Sequence, residues 1–91
     1  MTPMFPLGQL RITPGALEAL GQLNISAESI FQRHVLGDWG DISQEDKKLN
    51  DLAVEMGERV LSGYILPDGT KIWVNTEPDR SVTTILLPDE N

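Results

Sequence analysis

The nine residues from Arg33 to Asp41, Arg-His-Val-Leu-Gly-Asp-Trp-Gly-Asp, bring together the chain's single histidine, one of its two tryptophans, two glycines and two aspartates. Polar, aromatic and flexible residue types in a joint between two helix-like segments are what a binding surface or a small active site is built from, because rigid elements present loops that carry chemistry. His34 has the widest chemical reach, since imidazole titrates near neutrality and serves as acid, base or metal ligand. Combined with Arg80 and with Thr83 or Thr84, it would form a metal-free catalytic set for phosphodiester chemistry, His34 as base and Arg80 stabilising charge. Spacing argues for a plainer role. His34 lies four residues after Ile30 and three after Phe31, on an apolar stripe, where a histidine is a hydrogen-bonded part of the core. The chain has no cysteine, no second histidine and no G-x-S-x-G elbow, so a nucleophile triad or a zinc site is not expected.

The acids offer a different kind of site. Asp38, Asp41, Glu45 and Asp46 are close in sequence, but a calcium loop needs ligands at alternating positions, a central glycine and a closing glutamate, and this spacing lacks them. No metal or cofactor is expected. The net charge is −7, and residues 38–58 hold seven acids against Lys47 and Lys48. That balance argues against direct nucleic-acid binding through a cationic surface. It suits a face that steers a protein partner with a basic surface, and the residues expected to contribute are Asp38, Trp39, Asp41, Lys47, Asp51 and Glu55. The competing reading of the same charges is a solvated helix face.

These side chains need a scaffold, and the expected one is a single α+β domain over 1–91, three short helices packed on a small antiparallel sheet of three or four strands, with 1–8 a loose N-terminal arm. Leu10 and Ile12 alternate with polar neighbours over 9–13, as in a strand or extended arm. Thr13 and Pro14 then cap and open a first helix, with Gly21 as its terminator. Ser26 caps a second that Gly37 ends. Ser43 and Asp46 form a capping-box pattern opening a third helix over 44–56, with Leu49, Leu52, Ala53 and Met56 as its apolar stripe and Gly57 as its stop. Beyond it the period changes to two. Residues 59–66 and 70–76 flank Pro67-Asp68-Gly69 as a hairpin, and 81–87 supply a further strand.

At 91 residues, 40% of them hydrophobic, the chain has a modest core, marginal enough that a homodimer would reinforce it. A cysteine-free composition suits the reducing cytoplasm. The first residues lack a basic leader and carry two prolines, so an export signal is not expected, and no apolar run is long enough for a membrane span.

Thr-Pro-Gly-Ala-Leu at 13–17, Arg-His at 33–34, Gly-Asp-Trp-Gly-Asp at 37–41, Glu-Asp-Lys at 45–47, Asn-Asp at 50–51, Asp-Gly-Thr-Lys-Ile-Trp at 68–73 and Asp-Arg-Ser-Val-Thr-Thr-Ile-Leu-Leu-Pro at 79–88 form a pattern across nearly the whole chain. The chain resembles a family of small uncharacterised bacterial proteins of plasmids and integrative elements, some labelled plasmid-related protein or type I restriction endonuclease subunit M. The resemblance implies a bacterial, mobile-element setting and no reaction, because a modification subunit needs a methyl-donor site and a far longer chain. In general outline, helices before an antiparallel sheet also look like barnase/RelE-type ribonucleases, on architecture alone. The leading expectation is a non-enzymatic interaction protein. The nuclease using His34, Arg80 and Thr83 or Thr84 is the alternative.

Overall fold

The computed structural model describes residues 2–91, leaving only Met1 of the expected arm outside the described residues. Its elements are β1 (Gln9–Ile12), α1 (Pro14–Gln22), α2 (Ala27–Val35), α3 (Gln44–Met56), β2 (Val60–Ile65), β3 (Lys71–Thr76) and β4 (Val82–Leu86), followed by a short 3-10 turn over Pro88–Glu90. The fold is α+β with a four-stranded sheet in the order β1-β4-β3-β2. The sheet is mixed rather than purely antiparallel. β2, β3 and β4 form the antiparallel meander, whereas β1 lies parallel to β4, pairing Gln9 with Val82 and Ile12 with Ile85. Three helices and two strands separate β1 from β4 in sequence, so the two are free to run in the same direction; a hairpin connection would have forced them antiparallel.

Side-chain oxygens start all three helices: Thr13 accepts from the Ala16 amide, Ser26 from Ser29 and Ser43 from Asp46. Only the Ser43 half of the expected capping box is formed. At α1 a second acceptor arrives from the far end of the chain, for Glu90 takes the Thr13 hydroxyl at 2.5 Å and the Gly15 amide at 3.1 Å. The Thr13 hydrogen bond leads the causes that hold the Glu90 carboxyl below its ordinary range. The end of α1 corrects the sequence expectation. Gly21 lies inside the helix, and Asn24 takes the left-handed position at φ 55°, with the Ile25 amide reaching back to the Leu20 carbonyl at 3.0 Å. Asparagine tolerates that conformation better than most residues.

One turn design serves both hairpins. In Leu66-Pro67-Asp68-Gly69-Thr70 the Gly69 amide bonds the Leu66 carbonyl and Asp68 accepts from the Thr70 amide; in Glu77-Pro78-Asp79-Arg80-Ser81 the Arg80 amide bonds Glu77 and Asp79 accepts from Ser81. Where the first turn has glycine at φ 88°, the second has arginine at φ 61°. That substitution costs about 1–2 kcal/mol of backbone strain. It is offset by the guanidinium, which donates to the carbonyls of Glu58 at 2.6 Å, Ala53 at 3.1 Å and Glu77 at 3.3 Å. The last turn of α3 has no basic residue of its own, so Arg80 brings the cation that its carbonyl end favours. Arg80→Gly should relieve the strain yet lower stability by a net amount of about 1–3 kcal/mol, because charge-assisted bonds to carbonyls are lost. A urea midpoint equal to or above that of the parent chain would refute this.

α1 and α2 cover one face of the sheet, where Ala16, Leu20, Ile30 and Phe31 pack on Tyr64, Ile72, Val74 and Ile85. α3 does not join them on that face. It lies along the β2 edge and buries Asn50 and Ala53, leaving Leu49, Leu52 and Met56 exposed, contrary to the expectation that its apolar stripe faces the core. Residues 2–8 also depart from the loose arm expected. Phe5 is buried against Trp39, Ala53 and Val60, and the Met4 amide bonds the Val35 carbonyl at 2.9 Å. The arm is held because the helices and β2 leave a gap that one aromatic ring fills.

Candidate functional site

His34 projects from α2 onto the inner face of the sheet and has no exposed surface. Its ring nitrogens lie 2.5 Å from Ser62 Oγ and 2.9 Å from Thr76 Oγ1, Thr76 lies 2.8 Å from Thr83, and the Thr83 hydroxyl donates to the Leu7 carbonyl at 2.7 Å. That terminal carbonyl orders the whole chain. Thr83 donates to it and so accepts from Thr76; Thr76 then accepts from His34 Nε2–H, which leaves Nδ1 bare to accept from Ser62. Burial, reinforced by the positive charge of Arg80, pushes the His34 pKa down to about 4, so the ring is neutral at pH 7.

The sequence had grouped His34, Arg80, Thr83 and Thr84 as the enzymatic alternative. The structure joins His34 to Thr83 through Thr76, but both are sealed. Thr84, one residue on, points to the opposite face of the sheet beside Asn75. Arg80 is engaged by carbonyls, and the Phe5 ring packs against both it and His34, 5.4 Å from the guanidinium and 5.3 Å from the imidazole centroid. The open pocket that phosphodiester chemistry requires is not formed by these residues. Ser62 and Thr76 were missed, although small polar residues at inward positions of alternating strands are the partners a core histidine needs.

The 37–41 segment has a different task. β2 is an edge strand, and its outward groups are capped one after another: Asn50 accepts from the Leu61 amide and donates to the Leu61 carbonyl at 3.2 and 2.8 Å, the Gly63 amide and carbonyl bond Trp39 and Asp41 backbone at 3.1 and 2.6 Å, and the Ile65 amide bonds Asp41 Oδ2 at 2.8 Å. The edge is closed to further pairing. Of the six residues expected to meet a partner, Asp38 is bound to Arg33 at 2.7 Å, and that hydrogen bond leads the causes holding its carboxyl below the ordinary range. The Asp38 carbonyl receives the Tyr64 hydroxyl at 2.6 Å, and burial lifts the Tyr64 pKa to about 12. Trp39 is buried with Nε1 donating to Asp51 at 2.9 Å, and Asp41 seals the edge. Of the six only Trp39 is buried: Asp38, Asp41, Asp51 and Glu55 are exposed and Lys47 is half-buried.

What α3 turns outward is a stripe of Leu49, Leu52 and Met56 between Glu45, Lys48 and Glu55. Leu49 also lines a cleft of about 260 Å³ between α3 and the uncovered face of the sheet, together with Ile42, Leu61, Trp73, Asp46 and Lys71. Among the described residues no group of three or more histidines and acids is placed to hold a metal ion, and no helix is long and apolar enough to cross a membrane. Compared with family models, curated proteins and solved structures, the chain matches none.

Proposed function

We propose that the protein is a non-enzymatic interaction module whose docking element is the outward face of α3. One observation carries this: Leu49, Leu52 and Met56 are 58%, 51% and 66% exposed on a helix that had a sheet face available to bury them. Exposed apolar surface next to a cleft is the usual composition of an interface centre, and a cleft of this size takes one apolar side chain. Glu45, Glu55 and the neighbouring acids then select a partner with a basic rim. A cytoplasmic, bacterial mobile-element setting belongs to the same proposal, supported by the cysteine-free composition and the residue pattern running from 13 to 88.

The test is affinity capture with the full chain from a bacterial host, followed by binding measurements with the purified partner. Leu52→Ser with Met56→Ser should weaken binding at least about tenfold, equivalent to about 1.4 kcal/mol. Glu45→Lys with Glu55→Lys should weaken it less, with a loss that shrinks at high salt. All four positions are exposed, so stability should stay within about 0.5 kcal/mol for each change. A partner that binds the parent and both double variants equally would end this reading, as would the retention of no discrete protein.

A further inference from the structure

The two edges of the sheet are treated differently. Five outward backbone groups of β2 are capped by Asn50, Trp39 and Asp41, whereas β1, at the other edge, is paired on one side only. The Gln9 and Thr13 amides bond the carbonyls of Ser81 and Ile85 on the β4 side. Because alternate residues of a strand turn both backbone groups to the same side, Leu10 and Ile12 direct their N–H and C=O away from the sheet. Their side chains stand on the inner face, and beside them run two adjoining cavities. One, of about 460 Å³, lies between Leu10, Ile12, Ala27 and Phe31; the other, of about 320 Å³, between Leu10, Phe5 and Val35.

We infer that the β1 edge is a peptide-binding site, taking an extended segment of a partner protein as a fifth strand antiparallel to β1. The edge itself dictates an extended backbone, since only a strand can meet four groups spaced over Leu10–Ile12. In that pairing the peptide residues opposite Leu10 and Ile12 point to the inner face, into the two cavities over α2, and must be apolar. The residue between them stands opposite Arg11, whose exposed side chain is on the outer face, and an acid there is favoured. The recognised pattern is therefore apolar-acidic-apolar. A second copy of the chain fits poorly: the antiparallel register that uses all four groups sets Arg11 directly against the other copy's Arg11, a like-charge pair. This surface lies at the opposite edge of the sheet from α3 and stands or falls apart from the α3 reading.

A displayed library of random octapeptides, panned against the full chain, should enrich apolar-acidic-apolar sequences, and the best synthetic peptide should slow hydrogen exchange at the Leu10 and Ile12 amides. Leu10→Pro removes an outward N–H without touching the β4 ladder and should weaken that peptide at least about tenfold. Arg11→Glu leaves every backbone group in place and should shift the selected central residue from acidic to basic, which decides the question even where the proline variant does not fold. No enriched pattern, a bound peptide that leaves both amides exchanging, or an unchanged selection with Arg11→Glu each overturns the inference. Protection of the two amides that appears without peptide and grows with protein concentration also overturns it, in favour of a second copy.

Discussion

Gly40→Ala is expected to destabilise the protein by about 2–5 kcal/mol, a large share of the roughly 5–15 kcal/mol that ordinarily holds a domain folded. A Cβ built at Gly40 lies 2.2 Å from the Gly63 carbonyl oxygen and 2.4 Å from the Tyr64 ring, and the backbone there has φ 81°. The left-handed backbone contributes about 1–2 kcal/mol for a residue with a side chain. Forcing a methyl into packed backbone adds about 1–3 kcal/mol. The strap from Trp39 to Asp41 must lift away, and with it go the bonds to Gly63 and Ile65. Two readouts check this: the urea midpoint, and hydrogen exchange at the Gly63 amide, which donates to Trp39 in the native edge. An exposed β2 edge should also make the variant aggregate when it is concentrated. A parent-like midpoint with a protected Gly63 amide would show that the strap is not what closes the sheet.

The second large effect is at His34. Its folded pKa of about 4 lies below the 6.5 of a free imidazole. The unfolded chain therefore binds more protons than the folded one between these values, so stability falls as pH drops through 6.5 and the loss is complete near 4. The size is on the order of 3 kcal/mol. Asp38 and Glu90, both held below the carboxylate range, lose their contributions at lower pH still, so the upper part of the window reports His34. His34→Phe should cost about 2–4 kcal/mol at pH 7, because Ser62 and Thr76 lose a buried partner. Its stability should be nearly flat from pH 6.5 to 5, where the parent declines. Equal slopes in the two proteins would mean that the imidazole is not kept neutral by burial.

Local structure was largely legible because its causes are local. The caps at Thr13, Ser26 and Ser43, the bounds of α3, the Gly37 and Gly57 stops and the Pro67-Asp68-Gly69 hairpin follow from side chains meeting backbone groups within a few residues. The core position of His34 followed from its spacing behind Ile30 and Phe31, and the structure buries all three. The contacts of the candidate site were not legible in the same way. Composition grouped Asp38, Trp39, Asp41 and Asp51 on a partner surface; the fold buries Trp39, while the three aspartates stay exposed and each also accepts a hydrogen bond, from Arg33, the Ile65 amide and Trp39 respectively. Charge and aromatic character say what a residue can do, and contacts distant in sequence decide which of these it does.

The amino-acid sequence thus determined an α+β chain, the order of its helices and strands, and the acidic character of α3, since periodicity and capping act over one or two turns. Tertiary structure alone decided that β1 crosses to lie parallel with β4, that Phe5 and Trp39 close over His34, and that α3 seals an edge with Asn50 while Leu49, Leu52 and Met56 face outward. The physical reason is that an apolar stripe specifies a face to be covered but not what covers it. That choice belongs to the whole packing, in which satisfying the open backbone of β2 took precedence over burying three large side chains of α3.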